Sequence, residues 1–402
     1  MHGHLTLCAR HGLEMTQHHP VVLAASDYYL PGDKGGGAVH ALANMVTRLG
    51  ENWVFKIITR DRDFGDAWVY PHVTAGRWCR QGKADVMYLS PLRRLRMLLA
   101  SVRKTEFDVL YLNSFFSPAF SFPLLLFRKF GLIAERPLIV APRGEFSPGA
   151  LRLKRVKKLG YIFLIRALGL CRDAVWHVST EYEEADVRRY FGGKAQVVIA
   201  RDCLPLAAGA EVELFPRKKI AGRLDIVFLS RICRKKNLDG ALSMLSSLLG
   251  AVHVNIYGHQ EDADYWRECQ AIIDRLPVNI QVEYCGAVAH DEVLGVMARH
   301  HLFFLPTHGE NFGFVILEGL LAGCPILISD QTPWRDLQAN GVGWELPLAE
   351  SARFREALQA CIDMDQSSFS TLSQKARAYG LQTVRDDPSA EQSIMLFKTA
   401  LG

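Results

Sequence analysis

Twice along the chain an apolar, strand-forming run gives way to a loop rich in glycine or cations and then to an amphipathic helical period. The first succession opens at Val21, where VVLAAS leads through DYYLPGDKGGG to AVHALANMVTRLG and the strand WVFKIIT. The second opens at LDIVFLS (224–230) and continues through RICRKKN to the helix NLDGALSMLSSLL and the strand VHVNIYG. Further strand-like runs are DVLYLN (108–113), PLIVAP (137–142) and AVWHVS (174–179) in the first half, and IQVEYCG and LFFLPT (302–307) in the second. Strands alternating with helices restrict a chain to parallel, doubly wound sheets. A length of 402 residues exceeds one ordinary core and suits two domains of roughly 150 to 200 residues each. The expected fold is α/β, with two Rossmann-like doubly wound domains facing a cleft. The expected boundaries are 1–19 for an unstructured extension, 20–203 for an N-terminal Rossmann-like domain, 204–222 for a Pro- and Gly-containing linker, and 223–375 for a C-terminal Rossmann-like domain. Residues 376–402 read as a helical segment that packs back on the N-terminal domain.

Composition narrows the function class. With 49% hydrophobic and 22% charged residues the chain is an ordinary globular protein. The formal net charge of +5 gives no global argument for a nucleic-acid partner. Positive charge is nevertheless concentrated: Arg152, Lys154, Arg155, Lys157, Lys158, Arg166 and Arg172 fall in one stretch without an acidic residue, and Arg93, Arg94, Arg96, Arg103 and Lys104 in another. Both stretches are interleaved with Leu, Ile and Met, the pattern of a basic amphipathic helix on an anionic membrane surface or of a solvated helix face over a core. Nine scattered cysteines without a C-x-x-C pair fit neither a disulfide framework nor a zinc site and point to a reducing compartment. The first twenty residues have no signal-peptide pattern, their five histidines lack ligand spacing, and translation beginning at Met15 is compatible with the sequence. The apolar stretches near Ala119–Phe127 and Leu159–Leu170 are too short to span a bilayer. A cytoplasmic protein, peripheral at the inner face of the cytoplasmic membrane, is expected.

Three segments carry chemistry, each placed where a strand hands over to a helix, the side on which doubly wound sheets bind ligands. In THGENFGFVILEGLLAGCPILIS (307–329) two glutamates, Glu310 and Glu318, enclose seven residues. With a helix starting near Asn311 or Phe312, Glu310 stands at its N-terminus, and Glu318 lies about 12 Å further along at 1.5 Å per residue. That separation suits the two ends of a nucleotide diphosphate sugar; it equally suits a helix-start residue and a structural ion pair. In SRICRKKN, Arg231 and Lys236 are two cations five apart in a loop before a helix, a pocket for a diphosphate and its developing charge. In PGDKGGGAVHAL, Gly35, Gly36 and Gly37 let a backbone approach a ligand closely. The spacing is neither G-x-G-x-x-G nor a P-loop, so it supports neither a nicotinamide cofactor nor ATP hydrolysis.

Together these segments resemble the retaining family-4 glycosyltransferases of GT-B fold. GENFGFVILEGLLAGCPILIS is similar to their E-x7-E signature, SRICRKKN to their G-R-x4-K-[GN] element, and GGGAVHAL to their first glycine loop, in the same order along nearly the whole chain. TPWRDLQANGVGWEL (332–346) and APRGEFSPGALRLKRVKK (141–158) resemble segments of the bacterial cell-surface polysaccharide branch. The resemblance implies that Arg231 and Lys236 hold the donor diphosphate, that Glu310 contacts the donor sugar with the amides of Asn311, Phe312 and Gly313 nearby, and that Glu318 binds the ribose. Glu310, Arg231 and Lys236 are the implied catalytic residues, and Gly36, Gly37, Asn113 and Arg143 the N-terminal side of the cleft. It also implies a metal-independent hexosyltransferase, with no cofactor beyond the nucleotide sugar, acting on a glycan or lipid-linked glycan in O-antigen, capsule or exopolysaccharide synthesis.

The chain departs from the family pattern in three places. Ser230 replaces the glycine before the arginine, Arg143 stands near the position of a histidine that helps at the reacting carbon in many relatives, and Asn113 and Ser114 stand where some have histidine. A nucleotide-sugar-binding scaffold without turnover and a nucleotide-sugar epimerase of the same plan are the alternatives. DRD (61–63) and DMD (363–365) imitate the D-x-D metal motif of the other large glycosyltransferase fold, which has one sheet rather than two. His177 and His253, within strands, read as core residues, and His308 as a neighbour of Glu310.

Overall fold

The computed structural model describes residues 19–32, 34–152, 154–205 and 217–402. The extension 1–18, the start at Met15 and most of the expected linker, 206–216, therefore lie outside the described residues. The chain builds two sheets. The N-terminal one contains β1 (Val21–Ala25), β2 (Val54–Arg60), β3 (Trp78–Gln81), β4 (Ala84–Leu89), β5 (Val109–Leu112), β6 (Leu138–Val140), β7 (Val175–Val178) and β8 (Gln196–Ile199). Their spatial order is β3-β4-β2-β1-β5-β6-β7-β8, parallel throughout except for the β3 edge, which runs antiparallel to β4. The C-terminal sheet contains β9 (Arg223–Leu229), β10 (Ala251–Tyr257), β11 (Ile280–Gly286), β12 (Leu302–Leu305), β13 (Ile326–Ser329) and β14 (Gly343–Leu346), in the parallel order β11-β10-β9-β12-β13-β14.

Central strands such as VLYL and LFFL are buried at every residue, because helices cover both faces of a parallel sheet. Both sheets reverse direction of growth at their first strand. β1 lies between β2 and β5, and β9 between β10 and β12, so the loops leaving β1, β5, β9 and β12 open onto the two topological switch points. Those loops carry Gly36, Asn113, Arg231 and Glu310.

The last helix, Ser389–Leu401, leaves the C-terminal domain. Its Leu396 and Phe397 are fully buried, with Phe397 against Trp53 at a ring separation of 4.9 Å and beside Phe55 and Tyr111 of the N-terminal sheet. Arg48 donates to Asp387 at 2.7 Å beside the second crossing of the chain between domains. Part of the 204–222 stretch is firmly packed: the Lys219 ammonium donates to the carbonyls of Ile220, Ile362 and Met364. Among the described residues no helix is long and apolar enough to cross a membrane.

Candidate active site

Beyond β9 the chain turns through Arg231 and a short 3-10 helix, Arg234–Lys236, into Asn237 at φ 58. Asparagine tolerates this left-handed conformation better than most residues, and its Nδ2 donates to the Pro306 carbonyl at 2.7 Å. Thr307 Oγ1 donates to the Lys235 carbonyl at 3.0 Å, and the His308 amide to the same oxygen at 2.8 Å. The loops after β9 and β12 are thus sewn together, and Lys236 meets Glu310 in a direct ion pair. Each side chain is only 11% exposed. Burial opposes ionisation of Glu310, but Lys236, Lys235 and Arg231 outweigh it and hold the carboxyl below its ordinary range. An ammonium has three donors, and among the described residues Lys236 gives only one of them, to Glu310.

The helix after Glu310 is Phe314–Leu321, with Gly313 before it at φ 81. It starts later than the expected Asn311 or Phe312. Gly313 in the left-handed region turns the chain first, so Glu310 stands on the approach loop rather than at the helix tip, and a uniform helical rise does not describe its separation from Glu318. The loop offers backbone donors: among the described residues the amides of Asn311, Phe312 and Gly313 give no hydrogen bond, whereas the Glu310 amide is spent on the Gln331 carbonyl at 3.0 Å. Trp334 Nε1 fixes the loop by donating to the Phe312 carbonyl at 2.8 Å. Successive free amides before a helix form a concavity for an anion. Glu318 lies one turn into the helix, and burial pushes its carboxyl up to about 7. Its neighbour is His290, with Nδ1 at 3.5 Å from Oε1.

From the opposite domain Gly36, at φ 70, closes on Arg231: a Cβ there would sit 3.6 Å from the guanidinium Nε. Arg231 gives Nη1 to Glu261 at 2.9 Å, and among the described residues its remaining donors have no hydrogen-bond acceptor. A Cβ on Gly37 would touch the Phe314 ring at 3.9 Å. The structure therefore gathers Gly36, Gly37, Arg231, Lys236, Glu310, Asn311, Phe312, Gly313 and Glu318 around one cleft, a cavity of about 330 Å³ that Arg143 also borders.

Arg143 and Asn113 have a fixed occupation. The Arg143 guanidinium is ion-paired with Asp202, donates Nε to Asn113 Oδ1 at 2.9 Å and Nη2 to the Tyr111 hydroxyl at 2.7 Å, from a backbone at φ 52. Asn113 in turn donates to Ser26 Oγ and to the Ala38 carbonyl. Asp202 Oδ2 accepts from Asn311 Nδ2 at 3.1 Å, bridging the domains. Arg143 thus acts on the cleft through Asp202 and Asn311. His177 is buried against the Tyr111 hydroxyl, and desolvation lowers it to about 3. His253, expected in the core, is instead 39% exposed beside Asp225.

Asp202, Lys235, His40 and His290 also border this cleft, and no motif in the sequence marks them. Lys235 borders the same cleft, its pKa lowered by burial. His40 of helix Gly37–Leu49 stacks on His290 of the other domain at 4.5 Å, and burial takes His40 down to about 4. The acidic imitations lie elsewhere: Asp61 pairs with Arg62 at 2.9 Å, Asp63 accepts from the Phe64 amide at 2.8 Å, Asp363 accepts from Gln359 at 3.0 Å, and Asp365 caps a helix at the Ser368 amide. Among the described residues no group of three or more His, Cys, Asp or Glu is placed to hold a metal.

Residues 211–379 match the family model of glycosyl transferases group 1. Among curated relatives, a 2-deoxystreptamine N-acetyl-D-glucosaminyltransferase of Niallia circulans is 24% identical over 31% of this chain and 32% of its own. An uncharacterized 41.2 kDa protein of the cps region of Klebsiella pneumoniae is 20% identical over 61% and 66%. The chain thus spans less than two thirds of these relatives' lengths. Solved structures extend over the whole fold. HepE of Anabaena, in complex with UDP and glucose, superposes with a TM-score of 0.68 over 95% of this chain and all of its own at 17% identity. WaaG, a glycosyltransferase involved in lipopolysaccharide biosynthesis, superposes at 0.64 over 93% and 99% at 13% identity. The chain has the GT-B fold, and the part of it that carries Arg231, Lys236, Glu310 and Glu318 matches the group 1 glycosyl transferases.

Proposed function

We propose that the protein is a retaining, metal-independent glycosyltransferase that moves a hexosyl group from a nucleoside diphosphate sugar to a hydroxyl of a glycan acceptor. The observation that carries this reading is the convergence of Arg231, the Lys236–Glu310 pair and three free amides on one cleft at the switch points of both sheets. Arg231 and the two spare donors of Lys236 hold the diphosphate, the amides of Asn311–Gly313 complete its cradle, Glu310 accepts from sugar hydroxyls, and Glu318 accepts from the ribose. HepE was solved with UDP and glucose, which makes UDP-glucose the first donor to test.

In the transfer, the bond from C1 to the diphosphate oxygen breaks and its electron pair stays on that oxygen. The acceptor hydroxyl oxygen forms the new bond to C1 on the same face, and its proton passes to the departing phosphate. Charge builds on the diphosphate, where the fixed cations stabilise it without reorganising. Positioning of the two sugars in the closed cleft supplies much of the remainder. The nucleotide sugar is a co-substrate, and these residues ask for no further cofactor.

The acceptor is read as lipid-linked, in cell-surface polysaccharide synthesis at the inner face of the cytoplasmic membrane. Helix Arg155–Ala167 supports this: Ile162 and Ile165 are buried, while Val156 is 86% and Phe163 74% exposed, beside the exposed cations Lys154, Arg155 and Lys157. Such a face suits an anionic lipid surface. Lys158 is not part of it, since its ammonium donates to the Ala150 carbonyl at 2.7 Å and lies over the Phe116 ring. The test is nucleotide release from a panel of nucleotide sugars with and without membrane-extracted acceptor. Release that depends on acceptor is expected, and conversion of the sugar without acceptor would contradict transfer.

A further inference from the structure

A second cavity, of about 760 Å³, lies between the domains on the other side of the Glu310 loop. It shares only Lys235, Glu310 and Asn311 with the donor cleft. Its wall is built by close backbone approach: a Cβ on Gly144 would stand 3.3 Å from Asn311 Oδ1, and one on Gly149 3.1 Å from the His308 carbonyl. The two chambers therefore meet at Glu310, where the proposed reaction places the donor sugar, and this inference rests on that reading.

Helix Glu181–Phe191 presents Tyr182, Asp186 and Arg189 to the chamber, spaced four and three apart on one face. Tyr182 is 66% exposed, with the Arg335 guanidinium 5.7 Å from its ring centre. Arg335 itself is held by the carbonyls of Asp330, Thr332 and Trp334. Asp186 is half-buried and accepts no hydrogen bond among the described residues; burial raises its carboxyl to about 6 against the opposing pull of Arg189. Glu183 is already spent, on the Gly144 amide and on Ser179.

We infer that this second chamber is the acceptor subsite and that it takes a neutral hexopyranoside ring, stacked on Tyr182, with ring hydroxyls donating to Asp186. An exposed aromatic face beside an unshared carboxylate matches a sugar ring, which presents C–H bonds on one face and hydroxyls at its edge. The lining sets the cations Arg189, Lys235 and Arg335 against the carboxylates Glu183, Asp186, Glu310 and Asp330, so the chamber carries no net positive charge to attract a carboxylate or phosphate on the ring. A pyranoside so held lies against Glu310 and Asn311, the residues shared with the donor cleft, with one edge turned toward C1 of the donor sugar.

The test is saturation-transfer NMR on the full chain with methyl glucoside, galactoside, mannoside and glucuronide, each measured with and without UDP. At least one neutral pyranoside is expected to saturate, with affinity falling about fivefold or more in both Tyr182→Ala and Asp186→Asn, while thermal unfolding shows both variants folded. Absence of any neutral pyranoside signal, signals unchanged in both variants, or preference for the glucuronide would overturn the inference. The thermal shift given by UDP in the wild type judges the donor reading separately. The arm without UDP judges the chamber whatever that shift shows.

Discussion

Asn311 Nδ2 donates to Asp202 Oδ2 at 3.1 Å, so the loop carrying Glu310 is tied to the opposite domain by a carboxylate that Arg143 already grips. The tie places the same group in two networks, one that holds the N-terminal domain together and one that sets the width of the cleft.

Separating those networks gives a first prediction. Asp202→Ala leaves the buried Arg143 guanidinium without its counter-charge and is expected to destabilise by about 3 kcal/mol or more. Asn311→Ala keeps that ion pair and loses two cross-domain hydrogen bonds, the one to Asp202 and the one Oδ1 accepts from Ser179 Oγ at 3.1 Å, about 2 kcal/mol in all. Urea unfolding of both variants checks the order; equal losses would show that Asp202 does not hold Arg143.

Lys236 and Glu310 form the second test. Each is nearly buried, so Lys236→Ala or Glu310→Ala leaves an uncompensated charge and costs about 3 to 5 kcal/mol in stability. Lys236→Met combined with Glu310→Gln is expected to recover most of the stability. Transfer stays down at least about a hundredfold, the effect of removing one charge-stabilising donor. Assay of the double variant alongside its melting curve separates the two effects.

Glu318 supplies a pH prediction. Its carboxyl is raised from 4.5 to about 7 by burial, so the folded protein holds that proton more tightly than the unfolded chain does. Stability from this group is full below about 4.5 and declines as pH rises toward 7, by about 2 kcal/mol for a carboxylate with some solvent access. Glu318→Gln is therefore expected to raise the melting temperature at pH 8 more than at pH 5. Donor affinity in the wild type runs the other way, because the ionised form accepts ribose hydroxyls, and it falls below about pH 7. Melting curves at the two pH values and a donor titration across them decide; a Glu318→Gln effect independent of pH contradicts the assignment.

Much of the fold is legible in the sequence because parallel strands buried on both faces read as unbroken apolar runs, as in VLYL and LFFL. The β3 edge is not, since WCRQ is short and only partly covered. The helix before Glu318 is misjudged in its start because nothing in GENFGF announces that Gly313 takes φ 81. Arg231, Lys236, Glu310 and Glu318 stand out because each follows a recognisable strand or lies at a telling interval. Asp202 and the His40–His290 stack do not, because their roles exist only once distant segments meet. Lys235 is indistinguishable from Lys236 by composition, and only the folded turn decides which one faces Glu310.

The exposed face of helix Arg155–Ala167 gives a surface prediction. Val156→Asp with Phe163→Asp removes apolar area and adds like charge against an anionic bilayer, so partition onto vesicles containing phosphatidylglycerol is expected to fall about tenfold or more. Sedimentation with vesicles measures it. Equal partition of variant and wild type removes this helix as the contact.

The central claim is that Arg231, Lys236, Glu310 and Glu318 together grip a nucleoside diphosphate sugar. It is tested most directly by thermal shift against UDP, GDP, ADP and dTDP, each free and as a sugar conjugate, since a ligand that binds the folded state raises the melting temperature with its concentration over its dissociation constant. At least one nucleotide is predicted to stabilise the wild type and to lose that effect in Arg231→Ala and Lys236→Ala. A panel without any shift, or a shift that survives both substitutions, contradicts the account.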